Sequence, residues 1–200
     1  VAAANNTIAG YTLRQKTRNK RRDDLSEELR QLNAKLDGIM AKTKVFRAME
    51  RDFESYNKAV RMVMQESQRG ALRNVHGPIS QLIRAEDDYT VAIEIALGGA
   101  MQNIVVNDEA AAKAAMYSLK NSGVGRATFY PLTSVKANSR SREVEAASTY
   151  KGFIGFADAL VSCDAQYAGV IGSILNRVAV FDTLDNATVM ARSQGWRVRA

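Results

Sequence analysis

Apolar residues recur along the first third of the chain in alternating steps of four and three. Leu25, Leu29, Leu32, Leu36 and Ile39 set this rhythm, and Thr43 and Phe46 prolong it. That spacing is the a/d seam of a coiled coil. A second set, Phe46, Met49, Phe53, Tyr56, Val60 and Val63, steps by threes and fours as well. The two registers meet through consecutive threes at 43, 46 and 49, a stammer that overwinds a supercoil locally. No proline falls within residues 1–75, and Gly38 is the only glycine between Gly10 and Gly70. The pattern therefore predicts one coiled-coil arm over residues 1–72. A seam of this length needs a partner helix to cover it. No second segment of the kind follows, so the partner is expected outside this chain. Before Leu25 the pattern fades, and Val1–Gly10 is expected to fray.

The rest of the chain repeats itself. Gly77, Leu82, Tyr89, Ile93 and Leu97 recur as Gly155, Leu160, Tyr167, Ile171 and Leu175, each 78 residues on. After Leu97 the offset drops to 75, aligning Val105 with Val180 and Asn107 with Asp182, so the second copy lacks three residues near 100–103. Two copies of one supersecondary unit imply two lobes related by an approximate two-fold axis. The first copy reads as helix Tyr89–Leu97, strand Asn103–Val106, an Ala-rich helix from the cap Asp108 to about Asn121 closed by Ser122-Gly123, and strand Arg126–Leu132. The second reads as helix Tyr167–Leu175, strand Val178–Phe181, helix Leu184–Arg192 and strand Trp196–Val198. Lys136–Thr149 is small, polar and charged, and is expected to be the linker between lobe one (73–135) and lobe two (150–200). Mixed helices and strands in one layered unit point to an α+β or α/β class.

Charge divides the chain in the same way. Of 28 Lys+Arg and 21 Asp+Glu, the first 75 residues carry 16 and 9, and the remainder 12 and 12. The whole excess of +7 thus sits in the first 75 residues. The run Arg14, Lys16, Arg18, Lys20, Arg21, Arg22 could meet phosphates or simply keep a coil solvated, and no aromatic residue interrupts it. No run of about 18 apolar residues predicts a membrane span, and Val1–Gly10 lacks the pattern of a signal peptide. A single cysteine, Cys163, forms no internal disulfide and fits a cytosolic setting.

Chemistry is sparse. There is no phosphate-binding G-x-x-x-x-G-K-[ST] loop, and Gly123-Val124-Gly125 lacks the third glycine of a dinucleotide site. His76 is the only imidazole and reads as structural, within the Asn74–Pro78 turn. Glu86, Asp87 and Asp88 read as a polar turn capping the helix that begins near Tyr89, with Mg²⁺ binding as the sharper option. Gly98-Gly99 ends a helix, where one glycine serves as C′ and the second leaves room for close approach of another strand or chain. No cofactor, metal or catalytic set is expected.

At this point the residues carry a resemblance. Met49–Met64 (MERDFESYNKAVRMVM), Val75–Ile83 (VHGPISQLI), Asp88–Val106 (DYTVAIEIALGGAMQNIVV) and Gly125–Leu132 (GRATFYPL) resemble the hinge domain of bacterial structural maintenance of chromosomes (SMC) proteins. Gly152–Val161 and Val178–Asp182 match less tightly but in the same order. The resemblance implies an α+β fold, a long coiled-coil helix leading into a two-lobed, pseudo-two-fold hinge over 73–200. It implies dimerisation with a second hinge, an antiparallel return helix of the same parent chain as coil partner, and DNA contact at the hinge–coil junction. By position, the implied dimer interface is Gly98, Gly99, Gly125, Arg126 and Thr128. The implied DNA contacts are Lys58, Arg61, Arg69, Arg73 and Arg84. The family continues past the position of Ala200 into a glycine-rich interface strand, a return coil and ATPase halves, so the chain is expected to be C-terminally incomplete and not itself an enzyme. The competing reading is a small-molecule-binding or catalytic α/β domain with its site between the lobes. A third is a basic coil binding nucleic acid directly through residues 14–22.

Overall fold

The structure, a computed structural model, describes residues 2–51 and 53–200 and divides at Asp52 into two compact units. The first is one helix, α1 (Ala2–Arg51), so the fraying expected over Val1–Gly10 is not seen from Ala2 on, and Val1 lies outside the described residues. Its seam residues Leu25, Leu29, Leu32, Leu36 and Ile39 are all more than half exposed.

The second compact unit runs from Phe53 to Ala200. Phe53 takes a positive φ of 53°, unusual for a bulky residue. Helix α2 (Lys58–Gln68) then starts afresh, with the Asn57 side chain accepting from the Val60 amide at 2.9 Å. Phe53, Val60 and Val63 are buried, in one cluster with Ala111, Ala115 and Leu119. The expected continuation of the coil through Phe53, Val60 and Val63 is therefore corrected. Their three- and four-residue spacing is real, but the stripe covers a globular core.

After α2 come β1 (Val75–Pro78), a single turn α3 (Ile79–Leu82) and β2 (Ile83–Ala85). They are followed by α4 (Thr90–Leu97), β3 (Ile104–Val106), α5 (Glu109–Ser122) and β4 (Phe129–Pro131). Then follow α6 (Arg142–Ala146), β5 (Phe153–Phe156), β6 (Val161–Cys163), α7 (Ala168–Leu175), β7 (Ala179–Phe181) and α8 (Leu184–Ser193). Strands run in three small sheets: β1-β3-β4, β2-β6 and β5-β7.

The internal repeat is exact enough to be read in the hydrogen bonds. β1 pairs with β3 antiparallel as Val75↔Val106, Gly77↔Val105 and Pro78↔Ile104, with an irregularity after Val75. β5 pairs with β7 as Phe153↔Phe181, Gly155↔Val180 and Phe156↔Ala179, with the irregularity at the same place. β2 and β6 pair with each other, Arg84 opposite Ser162. Those two residues are 78 apart, so the local two-fold passes through that pair. One core straddles the axis, with Ile79, Ile93, Leu97 and Val105 packed on Ala157, Ile171, Leu175 and Val180.

Caps follow the repeat as well. Asp108 accepts from the Ala111 amide at 2.8 Å, and its counterpart Thr183 accepts from that of Asn186. Gly123 closes α5 in the left-handed conformation at φ 65°. The Ala111 amide, helped by the Asn107 side chain, holds the Asp108 carboxyl below its ordinary value. A depressed folded value means that the cap's charge stabilises above the unfolded carboxylate range and is lost as pH falls through the folded one. Asp108→Asn is therefore expected to make stability less steep in acid, read as urea midpoints between neutral pH and the carboxylate range.

Three expectations need correction. Of the acidic triplet, Asp87 and Asp88 open a 3₁₀ turn (Asp87–Tyr89) that Glu86 precedes, and no side chain caps α4. Trp196–Val198 is not a strand, because Gly195 and Trp196 both turn with positive φ, and only Arg199 bridges to Val178. The linker is not a loose tether. It contains α6, whose Val144 is buried with Met190 of α8, so α6 stands before β5 as α2 stands before β1. Its first part lies on α7, where a Cβ on Gly172 would come 2.7 Å from that of Ala137. Arg140 fastens it, with both Asp158 oxygens at 2.7 and 2.8 Å, the Asn176 carbonyl at 2.8 Å and its guanidinium 4.2 Å above the Phe156 ring.

Candidate dimer interface and basic surface

Helix α4 ends because Gly98 takes φ 49°, its N–H reaching the Glu94 carbonyl. Gly99 opens the 3₁₀ turn that follows. Both glycines are exposed, and a Cβ on either would meet nothing within 4 Å. Among the described residues, the space that their missing side chains leave is open. Gly125 takes φ 131°, where an L side chain is strained, and faces Ala59.

Gly99, Arg126 and Thr128 line one open depression with Asn57, Val60 and Gln102. The Asn57 amide donates to the Gln102 side chain at 2.9 Å, tying the start of α2 to the turn after α4. Three of the five implied interface residues thus come together, and Gly98 and Gly125 adjoin them in sequence. The Thr128 carbonyl accepts from the Ile104 amide at 2.9 Å, which begins the parallel β3·β4 ladder. The far edge of β4 has no partner strand among the described residues. An unpaired edge offers backbone groups to another chain.

The implied DNA contacts are dispersed. Lys58, Arg61 and Arg69 share a face of α2 and its C-cap, and Arg73 lies in the turn after it. Arg61 already spends its guanidinium on the Phe53 and Glu54 carbonyls, at 3.2 and 2.8 Å. Lys58, Arg69 and Arg73 are exposed. Arg84 stands apart on β2, at the local two-fold.

The sequence reading missed an apolar face. Val91 and Ile95 of α4 and Leu184 of α8 are strongly exposed, and Ile95 and Leu184 share a cleft with Val180 and Ala200. In sequence they are ordinary apolar helix positions. The available signal was the repeat, since Gly169 and Gly172, the counterparts of Val91 and Glu94, lie under the linker.

His76 sits on strand β1 and not in the expected Asn74–Pro78 turn, with Nδ1 3.1 Å from the Tyr167 hydroxyl, joining the lobes. Cys163 lies on β6, where burial pushes its thiol up and away from reactivity. No metal-binding group of His, Cys, Asp and Glu occurs among the described residues. No described helix is long and apolar enough to cross a membrane.

Two lobes about a local two-fold, with an open strand edge and a preceding long helix, define a hinge-type module. Residues 72–191 match the SMC proteins flexible hinge domain, and the chain belongs to that family. It is 35% identical over 160 residues to the chromosome partition protein Smc of Bacillus subtilis, a stretch covering 80% of this chain and 13% of that protein. Its likeness to the Smc of Lactiplantibacillus plantarum is 32% over 198 residues, covering 96% and 16%. The chain spans less than a fifth of the length of these relatives. The SMC hinge domain of Geobacillus stearothermophilus, described as an asymmetric dimer, superposes with a TM-score of 0.80 at 37% identity, covering 92% of this chain and 71% of that one. The Pyrococcus furiosus hinge shares the fold at a TM-score of 0.54 and 24% identity. The small-molecule or catalytic reading finds no support among these relatives.

Proposed function

We propose that this chain is the dimerisation hinge of a chromosome partition protein, with α1 as one strand of the coiled-coil arm it joins. The carrying observation is the unpaired β4 edge, whose strand follows directly on Arg126 and Thr128 of the open depression. A second copy is the expected occupant, as in the relative described as a dimer. A two-fold pair would present the same edge twice and close on itself. The parent protein's ATPase activity belongs to segments outside these 200 residues. A cytoplasmic place beside chromosomal DNA is part of this reading, supported by the relatives' names as chromosome partition proteins. Sedimentation at micromolar concentration tests the proposal. The chain is expected to dimerise, and Arg126→Glu with Thr128→Asp to weaken the dimer at least about tenfold, because like charges at an edge block pairing. A wild-type chain that stays monomeric sinks it.

DNA contact at the hinge–coil junction is the second part of the reading, supported by exposed Lys58, Arg69 and Arg73. Arg69→Glu with Arg73→Glu is expected to weaken duplex binding severalfold at low salt and hardly at all at high salt. Unchanged affinity in a gel-shift titration would make these residues a solvated face only.

A further inference from the structure

The basic run on α1 is split by the helix into two faces. Because α1 is unbroken from Ala2 to Arg51, the phase of its apolar stripe carries back past Leu25. At about 100° per residue, Arg14, Arg18 and Arg21 fall in the same arc of roughly 80° as Leu25, Leu29, Leu32, Leu36 and Ile39. Lys16 and Lys20 fall on the opposite side, with Asp23, Glu27 and Asp37. Asp23 pairs with Arg22 and Glu27 with Arg30, each at 2.7 Å. No ion pair among the described residues reaches Arg14, Arg18 or Arg21. The stripe that calls for a partner helix therefore turns from aliphatic to cationic without leaving its face.

We infer that the helix covering α1 bears carboxylates opposite Arg14, Arg18 and Arg21, and aliphatic residues opposite Leu25–Ile39. This rests on reading α1 as a coiled-coil arm and names the chemistry of its partner. A helix packed over three arginines without countercharge would strip their water and return nothing. With carboxylates, the same positions fix register and orientation. A second copy of α1 supplies too few. In parallel register arginine meets arginine, and in an antiparallel register centred on Leu32 only Arg14 meets a carboxylate position, Glu50, while Arg18 and Arg21 meet Phe46 and Thr43. Duplex DNA is the weaker occupant, because a phosphate surface lying on this face would leave the adjoining leucines uncovered.

The probes are two synthetic helical peptides with the same aliphatic heptads. One carries Glu and the other Lys at the three positions that meet Arg14, Arg18 and Arg21. Titrated into the whole chain and followed by fluorescence anisotropy, the Glu peptide is expected to bind at least about tenfold tighter, the gap closing in high salt. Arg14→Glu, Arg18→Glu and Arg21→Glu together should reverse the order. The corresponding Gln variant, checked for helix by circular dichroism, should abolish it. Equal binding of the two peptides, binding of neither, or an order unchanged by the triple reversal would overturn the inference. So would a triple reversal that loses only duplex DNA. Sedimentation keeps the readings apart: a wild-type chain that stays monomeric speaks against the hinge proposal alone, whereas a dimer lost only on the triple reversal would make a second copy the occupant and overturn the acidic partner.

Discussion

Val63→Asp is expected to unfold the globular unit, at a cost of at least about 4 kcal/mol, while Leu32→Asp leaves its stability unchanged. Val63 is 1% exposed and packs in one cluster with Ala111, Ala115 and Leu119. A carboxylate there has no cation within the cluster and stays desolvated. Leu32 is 58% exposed on α1, in the other unit. Were residues 53–72 part of the arm, the two substitutions would behave alike, each disturbing only a coil. Hydrogen exchange at the β3 amides of Ile104 and Val106 separates the outcomes. Full protection retained in Val63→Asp would return α2 to the arm.

Leu175→Ala is expected to cost about 3 kcal/mol, within the range for emptying a fully buried leucine. Leu175 is 0% exposed, in the core that straddles the local two-fold. Its repeat counterpart Leu97 is 5% exposed in the same core, and Leu97→Ala should cost a similar amount. Leu184→Ala, at 82% exposure, should stay within about 0.5 kcal/mol. Urea denaturation of the three variants gives the ranking directly. A small effect at Leu175 would mean that the two lobes are stabilised separately rather than through a shared core.

The repeat was the most legible part of the chain. Five identities at one offset placed both copies, and the structure returns them as matched strand registers and caps. Helix α5 was readable because Asp108 and Gly123 punctuate it by side-chain and backbone chemistry that acts locally. The start of the globular unit was not readable, because three- and four-residue spacing says that a helix has an apolar face and not what that face meets. No glycine or proline marks the break, which falls at Phe53. The local sign was Asn57, a cap followed three residues later by the amide it bonds. Helix α6 hid inside a polar stretch, since only Val144 and Ala147 of that segment are buried. Extending the repeat backwards would have found it opposite α2. Trp196–Val198 carried strand-forming residues, but the turn at Gly195 and Trp196 overrides that preference. Of the interface, residue types were legible, but the openness around Gly98 and Gly99 depends on which neighbours the fold brings near.

The pairing of β2 with β6 also governs where the chain tolerates a change in length. Arg84 faces Ser162, so the two copies meet at equivalent positions only while each keeps the same residue count up to that strand. An insertion between β1 and β2 in one copy alone would slide Ile83 and Ala85 out of step with Cys163 and Val161. The facing pattern of the ribbon would then invert. The segment after α4 and α7 carries no such obligation, and the three-residue difference between the copies lies there. Length variation, natural or engineered, is therefore channelled to the turn at residues 98–103 and its counterpart, and withheld from residues 75–97 and 153–175.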